Sequence, residues 1–276
     1  MRAVLLRGRE YPALDAVGET GAEGVAAAIT RGGAVKPYPH TDPNEDAALV
    51  AGGTRGALVA VADGHWGFRG AEAALEALLA AAGAWLDGPP LGTDGWYQAA
   101  LHALVLANDA VLAEQREKAR ARTTLSFALA RPEEDLLVHA ALGDSHLFVV
   151  DAIVAAEIPR ARKPTFLGAG PLRASVAEKH ARIGVRALDR PLAIVAATDG
   201  LSERAIGVAD PAGAVFAAVA AAAPQPPARR AAAAARGVVD AALAAHRAHA
   251  AGDNVAVACA WLGTGPAIRR FSPDPS

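Results

Sequence analysis

Five aspartates stand where apolar runs begin or end. Asp46 precedes "AALVA" (47–51), Asp63 follows "ALVAVA" (57–62), and Asp144 sits in "ALGDSHLFVV". Asp199 follows "LAIVAA" (192–197) after one threonine, and Asp253 directly precedes "NVAVACAWL" (254–262). Carboxylates at loop and turn positions are the hard oxygen donors that Mg²⁺ and Mn²⁺ prefer, usually with several waters retained. Two such ions a few ångströms apart activate a water and clamp a phosphoryl group. Glycines after Asp63 and Asp199 would let the backbone come close to an ion. Taken singly, each acid is better read as a turn former or helix cap, because Asp-Gly after a strand is mostly a simple turn. Five at strand termini shift the balance toward a metal site.

The elements must deliver these acids to one place. "AALVA" and "ALVAVA" flank "GGTRG", a connection that suits a hairpin. An antiparallel pair puts the start of one strand and the end of the other at the same sheet edge, so Asp46 and Asp63 arrive together. Pairing 192–197 with 254–262 would do the same for Asp199 and Asp253, and Asp144 would cap the turn between "DLLVHAAL" and "HLFVV". Periodicity alone leaves open whether these edges coincide. If they do, like charges crowd together at a cost that a cation relieves.

Further strands are expected at "GVAAAIT", "TTLSFALA" and "AIVAAEI". Helices are expected over "AEAALEALLAAAGAWL" and "WYQAALHALVLANDAVLAEQREKARA", and over about 210–250 with a break at "PQPP". Residues 1–24 carry little periodicity and read as an N-terminal leader packed on the domain edge. The stretch 159–190 reads as an irregular insertion, and 263–276 as a disordered C-terminal tail. Strands, a helix pair, strands and helices again predict an α+β domain over 25–262, with helices on the outer faces of its sheets.

Composition narrows the function classes. The net charge of −2 gives no sign of a nucleic-acid or anionic-membrane partner. The single cysteine, Cys259, excludes an intrachain disulfide framework and a Cys-rich zinc site. The hydrophobic fraction is 53%, largely alanine, yet no apolar run reaches the roughly 18–20 residues that span a bilayer. With no secretory signal in "MRAVLLRGREYP", a cytoplasmic protein is expected, working as a monomer.

At these residues the sequence resembles the metal-dependent type 2C protein phosphatases. "NEDA" (44–47), "VADGHWG" (61–67), "TTL" (123–125), "ALGDSHLFV", "AATDGLSER" and "GDNVAVACA" follow in the family's order across about 25–262. The resemblance implies a four-layer α-β-β-α sandwich, two packed antiparallel sheets flanked by helices. It implies two Mg²⁺ or Mn²⁺ ions, bridged by Asp63, with the Gly64 carbonyl as a further ligand and Asp199 and Asp253 completing one shell. Glu45 and Asp46 would hold metal-bound waters, and Asp144 a third, weaker ion. A water bridging the two main ions would attack phosphorus in line, and His65 would protonate the departing serine or threonine oxygen. A structural role for His65 is the even alternative. The substrates implied are proteins phosphorylated by a serine/threonine kinase.

Two positions depart from the family pattern. An arginine that grips phosphate usually stands three residues before the Asn of "NED", where this chain has Thr41. Arg31, Lys36 and His40 are nearby substitutes, with Lys36 and His40 the phosphate-binding candidates. Trp66 takes a position that is commonly glycine; narrowing the site mouth and stacking on a substrate are open alternatives there, and packing is its expected role. The departure at Thr41 motivates a rival reading, a catalytically weak metal-binding relative that senses phosphoproteins or acts as a scaffold. A more distant rival is a GDSL-type serine esterase built on Ser145 with Asp240 and His246 of "DAALAAH". A purely structural alanine-rich domain would leave the acids unexplained.

Overall fold

In a computed structural model, which describes residues 1–115, 120–160, 165–189 and 191–263, the chain forms fourteen strands and five α-helices. The strands are β1 (Arg2–Arg7), β2 (Val17–Ala22), β3 (Val25–Thr30), β4 (Ala47–Gly52), β5 (Ala57–Ala62) and β6 (Gly64–His65). After α1 (Arg69–Asp87) and α2 (Gly92–Ala113) come β7 (Arg122–Thr123), β8 (Leu125–Arg131), β9 (Leu136–Leu142), β10 (His146–Val150) and β11 (Ala155–Glu157). The chain closes with α3 (Ala174–His180), β12 (Arg182–Ala187), β13 (Ala193–Ala197), α4 (Pro211–Ala222), α5 (Pro227–His249) and β14 (Val255–Trp261).

Two six-stranded antiparallel sheets result, ordered β1-β4-β5-β8-β9-β12 and β11-β10-β13-β14-β3-β2, and β6 and β7 form a separate two-stranded antiparallel pair. The strands read as unbroken apolar runs because most are buried on both faces. In β4, Leu49 and Ala51 pack outward against α1 and α2, while Ala48 and Val50 pack inward against the second sheet. In β14, Val255, Val257 and Cys259 meet α4 and α5, and Ala256, Ala258 and Ala260 face the first sheet. Both interfaces mix alanine with larger aliphatics: β3 turns Val25 and Ile29 toward the other sheet and Ala26 and Ala28 toward the helices, whereas β14 does the reverse. The expected four-layer sandwich is what forms.

Three local expectations differ. The first 24 residues are two edge strands: β1 borders one sheet and β2 the other. Their short alternation is hard to read because edge strands bury less. The stretch 159–190 contains α3 and β12, and β12 pairs antiparallel with β9 along its whole length. Its charged, half-exposed sequence "RIGVRA" is that of a sheet edge. The second helix ends at Ala113, well before Ala121. The disordered tail expected at 263–276 falls almost wholly outside the described residues. Among the described residues no helix is long and apolar enough to cross a membrane.

Candidate active site

The hairpin β4–β5 pairs Ala47 with Ala62, so Asp46 and Asp63 are the next residues outward on facing chains. In the other sheet Ala197 pairs with Val257, and the Thr198 amide still donates to the Ala256 carbonyl at 3.0 Å. Asp199 then opens a 3-10 turn, Asp199–Leu201, opposite the start of β14, with Asp253 just before it. Asp144 lies in no hairpin: β9 belongs to the first sheet and β10 to the second, and residues 143–145 carry the chain across. That crossing brings the two sheet edges to one mouth. A cavity of about 540 Å³ there is lined by Asp63, Asp144, Asp199 and Asp253, with Lys36, Tyr38, His40, Glu45, Gly64, His65, Trp66 and Glu203 among the rest.

Carboxylate oxygens of Asp63, Asp144 and Asp199 all lie within 4.8 Å of one another. Burial, then Asp199 and Asp46, pushes the Asp63 carboxyl well above the usual range. Burial, then Asp253 and Asp144, does the same to Asp199. Burial also drives Asp46 up, to about 7, although Lys36 opposes the shift. Asp46 Oδ2 and Asp144 Oδ1 are buried acceptors without a hydrogen-bond donor. Crowded oxygens of this kind, short of hydrogen-bond donors, suit a hard divalent ion, so the residues fit the metal expected there.

Lys36 is the protein's own cation in this cluster. Its Nζ lies 3.0 Å from Asp253 Oδ1, with the two side chains 6% and 8% exposed. Burial alone would lower its pKa, but Asp253, Asp46 and Asp63 outweigh burial and raise it. The Tyr38 ring lies 5.5 Å from the ammonium. His40 lines the same cavity, with Nδ1 3.1 Å from the Tyr38 carbonyl. Arg31 points elsewhere and donates to the Pro12 carbonyl.

Glu45 serves the loops as much as the cavity. Its Oε1 accepts from the amides of Thr41 and Asp42 at 2.9 Å and of Gly67 at 2.8 Å. Asn254 knits the same region. Its Oδ1 accepts from the Glu45 amide, and its Nδ2 donates to the carbonyls of Arg31 and Pro43. Asn254 escaped the sequence reading, although its place in "GDN" beside an acid was a usable signal. Thr123 and Thr124 hold the Asp63 backbone: Thr123 Oγ1 donates to its carbonyl at 2.8 Å, and its amide donates to Thr124 Oγ1 at 3.0 Å. The glycines after the aspartates have a different reason from the one expected. A Cβ on Gly64 would collide with the Glu45 carbonyl, and one on Gly200 with the Asn254 carbonyl. They make room for neighbouring chain.

His65 is half-buried, with Nδ1 3.8 Å from Asp63 Oδ2 and no hydrogen-bond partner for that nitrogen. Burial lowers its pKa despite Asp144 and Glu45. Its ring leans on Phe166 at 4.4 Å, and the Phe166 segment is anchored where Leu167 bridges to Thr123. Trp66, expected to pack, is 53% exposed and holds a left-handed φ of 62°. That conformation costs a non-glycine residue about 1–3 kcal/mol.

No esterase triad assembles. Ser145 is 1% exposed and bonds Thr124 Oγ1 at 2.8 Å. His246 is committed to the Gly200 carbonyl at 2.9 Å, and Asp240 to Arg236. A different linkage, unforeseen from sequence, joins Glu157 to His146 Nδ1 at 2.8 Å and His146 Nε2 to Ser202 Oγ at 2.6 Å. With its imidazole fully buried, His146 braces the turn that carries Asp199.

The family described as Protein phosphatase 2C matches residues 39–234. The chain is similar in fold to a point mutant of a bacterial serine phosphatase (TM-score 0.64, 16% identity, covering 89% of this chain and 100% of that one). It is similar to the catalytic domain of the serine threonine protein phosphatase PstP in complex with two manganese ions (TM-score 0.58, 23% identity, 89% and 99% covered). A third similar structure is MsPP, a PPM Ser-Thr phosphatase from Mycobacterium smegmatis in complex with cacodylate (TM-score 0.58, 23% identity, 88% and 100% covered). No protein with a curated description matches the chain.

Proposed function

This chain belongs to the protein phosphatase 2C family, and from that premise we propose how its own residues carry out metal-dependent hydrolysis of phosphoserine and phosphothreonine on proteins. The convergence of Asp63, Asp144 and Asp199 oxygens within 4.8 Å is the observation that carries this reading. Asp63, Asp199, Asp253 and the Gly64 carbonyl would hold two Mg²⁺ or Mn²⁺ ions, with Asp46 and Glu45 Oε2 orienting their waters and Asp144 serving a third. Bound there, the ions supply Lewis-acid polarisation of the phosphoryl group and a water acidic enough to attack phosphorus.

The side chains do the rest. Thr123 and Thr124 fix the Asp63 backbone, and His146 braces the Asp199 turn. Lys36 contacts the phosphoryl oxygens in place of an arginine, its ammonium being buried, permanently charged and at the cavity. His40 flanks it at the more exposed side. His65 donates a proton to the leaving oxygen. Its depressed pKa makes it a willing donor once charged, and the acids around it favour that charge.

The test is phosphate release from a phosphothreonine peptide with Mn²⁺ and with chelator. Turnover should vanish on chelation and fall at least about a hundredfold in Asp199→Asn. Tight Mn²⁺ binding with no turnover would favour the sensor reading, and turnover that survives chelation would end the metal mechanism.

A further inference from the structure

Trp66 has no structural reason to be a tryptophan. Trp85 and Trp96 are core residues at 8% and 0% exposure, whereas Trp66 stands at the cavity lip, 53% exposed. Its backbone takes a φ of 62°, where glycine sits without strain. The turn is locked in that shape from below: Gly67 donates to Glu45 Oε1 at 2.8 Å, and Phe68 to Asp42 Oδ2 at 3.4 Å. One face of the indole lies against the Arg122 guanidinium, 5.0 Å from the ring centroid. The His65 ring meets it edge-on, with centroids 6.4 Å apart and planes at 71°. Among the described residues no other ring or cation stacks on it, and 53% of the residue stays exposed beside these two contacts. Arg122 forms no salt bridge among the described residues, and its buried Nε has no hydrogen-bond partner, so the indole is the charged group's principal contact there.

An exposed aromatic ring, strained into place one residue from His65, is placed for ligand rather than for core. The floor of the cavity is acidic and would take the phosphoryl group with its ions, so what reaches the lip is the residue beside the phosphorylated one. We propose that Trp66 is a substrate-recognition platform, whose indole stacks on an aromatic side chain flanking the phosphoserine or phosphothreonine. Arg122 backs the ring through a cation–π contact and holds its orientation. This rests on the phosphatase reading for the position of the phosphoryl group.

The experiment compares fluorescein-labelled phosphothreonine peptides carrying phenylalanine or alanine beside the phosphorylated residue. Binding is read by fluorescence anisotropy on the full chain, with Mn²⁺ and in the Asp199→Asn background so that peptide is not consumed. The phenylalanine peptide should bind about three- to tenfold tighter. Trp66→Gly should erase that preference, Trp66→Phe should retain most of it, and Trp66→Gly should melt within about 3 °C of its parent. In the otherwise wild-type enzyme, Trp66→Gly should raise KM for the phenylalanine peptide and leave KM for N-acetyl-phosphothreonine amide unchanged. Equal binding of both peptides by the parent, a preference that survives Trp66→Gly, or a large fall in melting temperature would overturn the proposal. Absence of Mn²⁺-dependent turnover would instead strike the phosphatase reading, while anisotropy still decides the role of Trp66.

Discussion

Lys36 partly does the work of a divalent ion before any ion arrives. Its ammonium sits 3.0 Å from Asp253 and moderates the charge on Asp46 and Asp63, so one end of the cluster is neutralised within the chain. If divalent ions are held by Asp253, as proposed, that ammonium would be free to face phosphoryl oxygens. A lysine offers a point charge where an arginine would offer a planar fork, so it can supply the attraction without the two-pronged geometry. Replacing Lys36 with alanine should therefore raise KM for a phosphopeptide about tenfold, and arginine should recover most of the loss. Steady-state kinetics at saturating Mn²⁺ decide this, and an unmoved KM would exclude Lys36 from the phosphate contact. Cys259 is the counterexample among reactive residue types: burial in β14 pushes its thiol up to about 12, and it is inert packing.

At the scale of elements, the site is made by places where chains cross closely. Residues 143–145 carry the chain from one sheet to the other, and Ser145 ties that crossing to Thr124, which in turn holds the Asp63 amide. The turn after Asp199 lies so near the start of β14 that Gly200 has no space for a side chain. Gly200→Ala should thus cost about 3 kcal/mol in urea denaturation, because the obstructing atom is backbone and cannot swing away. Gly170→Ala is the matched control, since nothing lies within 4 Å of a Cβ there. Similar losses at both positions would show that close approach is not what fixes Gly200.

The whole molecule carries a built-in conflict between stability and charge. Asp46, Asp63 and Asp199 all hold protons more tightly in the fold than in an unfolded chain, Asp46 up to about 7. An unfolded carboxyl releases its proton near about 4. Between those values the folded state binds the extra protons, so their stabilising effect is complete at low pH and is lost as pH rises through the folded value. His65, His139 and His246 are shifted down, chiefly by burial, and they weaken the fold only below about 6.5. The window from about pH 6.5 to 8.5 therefore isolates the carboxylates. The melting temperature of chelated protein should fall across it, and Mn²⁺ should restore stability most at the alkaline end, where its ligands are already deprotonated. A chelated protein whose stability is flat or rising over that window would contradict the picture.

Much of this was determined locally and could be read without coordinates. Apolar runs ending in aspartate fixed the strands that matter, and the short "GGTRG" connection fixed the hairpin that sets Asp46 beside Asp63, because side-chain alternation and turn chemistry are properties of neighbouring residues. The edge strands β1, β2 and β12 were obscure, since half-exposed strands lack a strong apolar signature. Tertiary structure alone decided that the two sheet edges share one mouth, that Lys36 lies against Asp253, and that Trp66 stands open at the lip. These depend on how the sheets stack and on residues far apart in the chain, and no local pattern encodes a distance between them.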